Sequence, residues 1–219
     1  MSASGLPTPG YIVVEGPIGV GKTSLVKRLS ESFACDTLLE AAEENPFLER
    51  FYSDGGSAAF PTQLFFLFQR NQQLERLRQA DLFRQGLVAD FMLEKDRLFA
   101  EVNLDPEELN LYQQVYQRLA MEAPAPDLVV YLQAPVDVLV QRIKRRSRHE
   151  ERHIDSGYLQ RLSDAYTHFF HQYDRSPLLI VNAATINPVD RDEDYQLLLE
   201  QIRSISRGKH YFNPAPTLF

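Results

Sequence analysis

Eight consecutive residues of this 219-residue chain limit its fold more than any others: Gly16, Pro17, Ile18, Gly19, Val20, Gly21, Lys22 and Thr23 read G-x-x-x-x-G-K-T in full. Glycines at this spacing let the backbone turn tightly and aim its N–H groups into one concavity, which suits phosphate oxygens. The motif works only between a strand and the start of a helix, and both are legible. Tyr11 to Glu15 (YIVVE) is a short β-branched run, and after the loop Leu25, Val26, Leu29 and Phe33 recur at spacings of three and four. The eight residues are therefore expected to hold nucleotide phosphates. Lys22 would reach the β- and γ-phosphates, and Thr23 would offer its hydroxyl to Mg²⁺.

Short apolar runs continue to alternate with helical patterns. Leu38 to Glu40, Gly86 to Asp90, Asp127 to Gln133 and Leu178 to Asn182 read as further strands, and Pro61 to Leu82 as a long helix. Asp105-Pro106-Glu107-Glu108 marks another helix start, with an Asp cap and Pro in the first turn. The alternation predicts an α/β fold: a five-stranded parallel sheet with helices on both faces, formed by residues 1–219 as one domain. Gly208 to Phe219 reads as a tail that docks or frays.

Bulk properties exclude several classes. A net charge of -7 is the wrong sign for a nucleic-acid binder, so no nucleic-acid partner is expected. The start, Met1 to Gly10, lacks the basic and apolar regions of a signal peptide, and no apolar run approaches membrane-spanning length. With a single cysteine, Cys35, the chain can form no internal disulfide, so a cytoplasmic location is expected and no membrane partner. A guanine-reading Asn-Lys-x-Asp segment should follow a late strand in a GTPase. Asn182-Ala183-Ala184 supplies the Asn but neither the Lys nor the Asp.

One local charge pattern opposes the net charge. Arg142 to Arg152 carries six Lys or Arg among eleven residues. Such a run is usually a solvated helix face. Close to a phosphate-binding crevice it can instead act as a lid, about 142–153, that neutralises charge on a departing phosphoryl group.

At this point the order of motifs from Tyr11 to Tyr173 resembles the deoxynucleoside kinase family, particularly its bacterial branch around Glu44-Asn45-Pro46-Phe47-Leu48. The resemblance implies a P-loop kinase fold with an arginine-rich lid. It also implies ATP as phosphate donor, Mg²⁺, a small-molecule nucleoside substrate and a homodimer. Glu40 matches the family's general base, Tyr52 its ligand for the sugar 3′-hydroxyl, and Gln63 its contact to the base edge. Arg70 and Asp96 match a base-contacting arginine and its aspartate partner, a pair that leans toward a purine or cytosine. Arg142, Arg146 and Arg148 fall at lid arginine positions, and Glu151 at the lid glutamate that reaches the sugar. The implied reaction is phosphorylation of the 5′-hydroxyl of a deoxynucleoside, with deoxyadenosine or deoxyguanosine favoured.

The sequence departs from the family at one place. After the third strand the family carries an acid-Arg-Ser triplet, and this chain has Asp90-Phe91-Met92. Asp90 keeps the acid as a metal ligand. Phe91 removes an arginine that stands near the general base, and Arg97 and the lid arginines are the candidate substitutes. Alternation along a strand sends Phe91 away from Asp90, toward Glu40 and the nucleoside crevice, where its ring is expected to desolvate Glu40 and raise its pKa. Two alternatives remain at this level. One is a nucleoside monophosphate kinase of the thymidylate kinase type, for which Arg50 and Arg70 are the available phosphate ligands. The other is a catalytically degenerate nucleotide-binding protein.

Overall fold

The computed structural model describes residues 10–54, 57–79, 86–119 and 124–214. Its strands are short and apolar where the sequence alternates with helical patterns: β1 Tyr11–Glu15, β2 Asp36–Leu38, β3 Leu87–Ala89, β4 Leu128–Gln133, β5 Leu178–Asn182 and β6 Lys209–Phe212. They form one sheet in the order β2-β3-β1-β4-β5-β6, and every pairing is parallel. The helices are α1 Lys22–Phe33, α2 Leu48–Ser53, α3 Ala59–Gln79, α4 Glu94–Asn103, α5 Pro106–Leu119, α6 Val136–Arg146, α7 Ser156–Gln172 and α8 Asp192–Ser204. Residues 80–82, expected to end the long helix, lie outside the described residues.

Strand alternation divides the core. Tyr11 and Val13 of β1 join Leu87, Val129 and Ile180 on one face, where Leu67, Leu98, Tyr112 and Tyr166 of α3, α4, α5 and α7 cover them. Ile12 and Val14 join Val88, Val130 and Val181 on the other, beneath Leu25 and Leu29 of α1, Leu139 of α6 and Leu198 of α8. Both faces are thus sealed, as parallel sheets require. The Asp105 carboxylate accepts the Glu107 and Glu108 N–H groups at 2.9 and 2.8 Å, so the expected helix cap forms. Among the described residues no helix is long and apolar enough to cross a membrane.

The strand count corrects the expectation of five. Residues 209–212, within the stretch read as a tail, pair with β5 from Leu178 opposite Lys209 to Val181 opposite Phe212. Lys-His-Tyr-Phe carries no apolar run, so the segment has no periodic signal of its own. Its pairing comes from the open edge of β5. The Lys209 ammonium also donates to the carbonyls of Phe170 and His171 at 2.9 and 2.7 Å, tying the strand to the end of α7.

All the parallel strands end on one edge, where the loop of residues 16–21 lies. Two of its glycines are required by space as well as by conformation. Gly16 has φ +146° and Gly19 φ +83°. A Cβ on Gly16 would stand 2.3 Å from the Leu132 carbonyl oxygen, and one on Gly19 2.7 Å from Ile143 Cγ1. The loop is therefore pressed against β4 and α6 so closely that no side chain fits between. Gly16→Ala should lower stability by at least about 2 kcal/mol, since overpacking and a left-handed backbone penalty both apply. Urea unfolding of the variant checks this, and an unchanged midpoint would contradict it.

Candidate active site

A crevice opens at the carboxyl edge of β1, β2 and β3, and four acidic side chains organise it. Glu15 ends β1 and is fully buried. Its carboxylate accepts the Gly16 N–H at 3.2 Å, the Met92 N–H at 2.9 Å and the Tyr166 hydroxyl at 3.1 Å. Burial pushes its pKa up, while Lys95 and Lys22 pull it down. Asp90 follows β3 by one residue. Its Oδ2 accepts the Thr23 hydroxyl at 2.6 Å and its Oδ1 the Glu40 backbone N–H at 2.8 Å. This carboxylate thus joins the first turn of α1 to the segment that carries Glu40, which lies two residues beyond the end of β2.

Glu40 is held from two helices. One carboxylate oxygen accepts from Arg70 of α3, and the other accepts from the Lys95 ammonium of α4 at 2.9 Å. Arg70 reaches back with its other terminal nitrogen to Asp96, which is 0% exposed. Aromatic rings underlie these cations, with Phe66 and Phe91 at 5.0 and 5.6 Å from the Arg70 guanidinium carbon and Phe99 at 5.3 Å from Lys95 Nζ.

The charges decide the protonation states. Burial pushes the Glu40 carboxyl up, but the paired Arg70 and Lys95 outweigh it and hold Glu40 well below the usual carboxylate range. At Asp96 burial outweighs Arg70, and the nearby Glu40 carboxylate adds to it against Lys95, so its pKa rises to about 6. Lys22 is lowered to about 8 by burial and by Lys95, against the pull of Glu15, Asp90 and Glu40. Its ammonium donates to the Gly16 and Pro17 carbonyls at 2.7 and 3.2 Å.

Most residues singled out in the sequence meet here. Ile18, Gly19, Lys22, Thr23, Glu40 and Asp90 line the crevice with Tyr52, Gln63 and Arg70, and Arg146, Arg148 and Glu151 close one side. Arg146 and Glu151 form an ion pair within that segment. Burial, with Tyr158 and the carboxylates of Glu151 and Glu40, pushes the Tyr52 phenol well up. Thr62 Oγ1, Gln63 Oε1 and Arg70 Nε are buried without a hydrogen-bond partner. Buried polar atoms are rarely left so, and three beside one crevice suit a polar ligand.

Four expectations fail. Phe91 does not line the crevice: it is 0% exposed, belongs to the core on one face of the sheet and lies under the Arg70 guanidinium. The chain turns into α4 directly after Asp90, which carries Phe91 under the floor. The Glu40 pKa is not raised as expected: burial pushes it up, but Arg70 and Lys95 outweigh burial and hold it low. Asp96 makes the expected pair with Arg70 but does so from behind it, outside the crevice lining. Arg142 points to the other side of the glycine loop, donating to the carbonyls of Val20 at 3.2 Å and Ala183 at 2.7 Å. There it lines a second cavity with Gly21, Arg145, Asn187 and Asp190. Arg97 is exposed beside Tyr116 and does not line the crevice. Sequence reasoning missed Lys95 and the Glu15 hub altogether. The signal for Lys95 was its neighbour Asp96, because two buried charges in one helical turn point to a common cluster.

Thr23 and Asp90 suit Mg²⁺. Among the described residues no three His, Cys, Asp or Glu side chains gather to cage a metal. Mg²⁺ beside phosphates keeps several waters and takes one or two protein oxygens, which is what this pair offers.

The profile of the family described as deoxynucleoside kinase matches residues 12–207. A deoxyguanosine kinase from Bacillus subtilis is 36% identical over 160 residues, spanning 73% of this chain and 77% of the relative. A deoxyguanosine kinase from Lactobacillus acidophilus is 31% identical over 205 residues, 87% of this chain and 88% of the relative. The structure of deoxyadenosine kinase from M. mycoides with bound dATP aligns with a TM-score of 0.78 at 26% identity, covering 89% of this chain and all of that one.

The Arg70 cluster makes a direct stability prediction. Arg70→Met leaves Asp96 and Glu40 without their shared buried cation and should destabilise by about 3–5 kcal/mol. Chemical denaturation at pH 7 checks it, and a loss below 1 kcal/mol would show the cluster to be solvated.

Proposed function

This chain belongs to the deoxynucleoside kinase family, and we propose that it moves the γ-phosphate of ATP onto the 5′-hydroxyl of a purine deoxynucleoside. The observation that carries this reading is the crevice itself. A carboxylate held ionised, Glu40, stands in one cavity with the phosphate-loop ammonium of Lys22 and with the unpartnered polar atoms of Gln63 and Arg70. The P-loop kinase fold and residues 1–219 as a single domain belong to the same reading.

In this reading the eight-residue loop and the N-terminus of α1 cradle the phosphates. The adenine of ATP enters the second cavity, between Arg142, Arg145 and the segment before α8. The base and sugar of the acceptor lie between Gln63, Arg70 and Tyr52, with Asp96 fixing the Arg70 fork and Glu151 reaching the 3′-hydroxyl. Glu40 accepts the proton of the 5′-hydroxyl as its oxygen bonds to the γ-phosphorus. The bond to the β–γ bridging oxygen breaks, and its electron pair leaves on ADP. Arg146 and Arg148 face the charge that spreads over the moving phosphoryl group. Mg²⁺, held by Thr23 and Asp90, would neutralise the β- and γ-phosphate oxygens. A monophosphate acceptor is disfavoured, because Arg50 is exposed and Arg70 is engaged by two carboxylates. Purine preference is supported by the deoxyguanosine kinases among the relatives. A soluble cytoplasmic homodimer is the working state in this proposal.

Two measurements test it. With ATP and Mg²⁺, a panel of deoxynucleosides should show turnover highest for deoxyguanosine or deoxyadenosine. Glu40→Gln should then lower kcat by ~10²–10⁴-fold with a far smaller change in KM. A wild type that phosphorylates only monophosphates would overturn the reading.

ATP binding should also take up a proton at alkaline pH. Lys22 is half deprotonated near pH 8 in the free protein, and bound phosphates would hold it charged. Affinity for ATP should therefore be flat below pH 7 and fall by up to about tenfold per unit well above pH 8. Calorimetry at pH 9 in buffers of different ionisation enthalpy reads the proton directly. Binding heats that do not depend on the buffer would refute the assignment.

A further inference from the structure

Resting on the reading above, we propose that Lys95 is the positioning residue for the general base Glu40 and stands in for the arginine absent at Phe91. The absence leaves a carboxylate that must be held in one rotamer, ionised, beside a phosphate site. An adjacent cation does all three. Lys95 is that cation: its ammonium lies 2.9 Å from Glu40 Oε2, and its side chain is only 4% exposed.

The route by which it arrives explains why the motif position is dispensable. Met92 N–H is fixed on Glu15, so the turn after β3 has one course. That turn drops Phe91 into the core and starts α4 with Lys95 in its first turn. Lys95 then enters the crevice from α4, over the Phe99 ring, as Arg70 enters from α3 over the Phe66 ring. Each cation takes a different Glu40 oxygen, so the carboxylate cannot rotate without breaking an ion pair.

Placing an unpaired ammonium here would be costly, since burial penalises the charged form. Glu40 alone answers that cost by contact, with Glu15 nearby. The bond to Glu40 is the one hydrogen bond the ammonium makes among the described residues. An ammonium has three donors, so two remain for a ligand in the crevice that Lys95 lines together with Lys22 and Asp90. A flexible stem suits this, because a point charge can hold the carboxylate and turn its other donors toward phosphate oxygens.

The test uses Lys95→Met and Lys95→Arg beside the wild type, with folding checked by circular dichroism and thermal unfolding. In Lys95→Met kcat should fall ~10- to 100-fold, the range for partners that orient a reacting group, while KM for the deoxynucleoside moves less than about threefold. Lys95→Arg should recover most of kcat. A folded Lys95→Met with wild-type kcat, or one in which KM alone moves, overturns the proposal. A wild type that phosphorylates no deoxynucleoside overturns the kinase reading and the proposal with it, so the two failures are distinguishable. If Lys95→Met does not fold, the wild type decides. Its ¹⁵N-lysine spectrum should show one ammonium with slowed hydrogen exchange that disappears in Glu40→Gln, and no such signal refutes the contact.

Discussion

The Glu15 carboxylate is the junction on which the site depends. It is fully buried at the end of the central strand β1 and binds three separate elements. These are the first N–H of the glycine loop, the N–H of Met92 in the turn between β3 and α4, and the hydroxyl of Tyr166 in α7. A buried carboxylate is costly unless its lone pairs are occupied and cations stand near. Here it accepts three hydrogen bonds, and Lys22 and Lys95 supply the opposing charge. The loop, the α4 turn and the lysines are thus fixed relative to one another before any ligand arrives.

From that junction the charges form one connected set. Glu15, Asp90, Glu40 and Asp96 converge with Lys22, Arg70 and Lys95, and burial together with the neighbouring charges sets the protonation of Glu15, Glu40, Asp96 and Lys22. Glu40 touches two cations and stays ionised. Asp96 shares one and drifts upward. Lys22 is buried near another lysine, and both effects move it downward. A nucleotide's phosphates would add negative charge beside Lys22 and the free donors of Lys95. Preorganisation of this kind keeps the cost of reorganising charge out of the reaction itself.

Arg146 and Glu151, by contrast, pair within one surface segment. Arg146 is the more exposed partner and Glu151 is only 11% exposed, so solvent screens the pair from one side only. The buried charges below are thus fixed by more contacts than the Arg146–Glu151 pair above them.

A family resemblance pointed to Lys22, Thr23, Glu40, Tyr52, Gln63, Arg70 and Asp90 as one site, and the sequence by itself determined the glycine loop and the alternation of strands and helices. Local rules govern these: glycines permit one backbone path, apolar periodicity seals the sheet, and parallel strands end on one edge. The tertiary structure alone decided three things. β6 exists because β5 left an edge open, and Lys-His-Tyr-Phe carries no pattern that announces it. Phe91 became core because the turn held by Glu15 runs into α4 at once. Lys95 reached Glu40 because α4 packs beside α3, a contact between residues 55 positions apart. Strand alternation predicted where Phe91 would point as long as the strand continued. The strand stopped, and long-range packing, which no local pattern encodes, chose the cation.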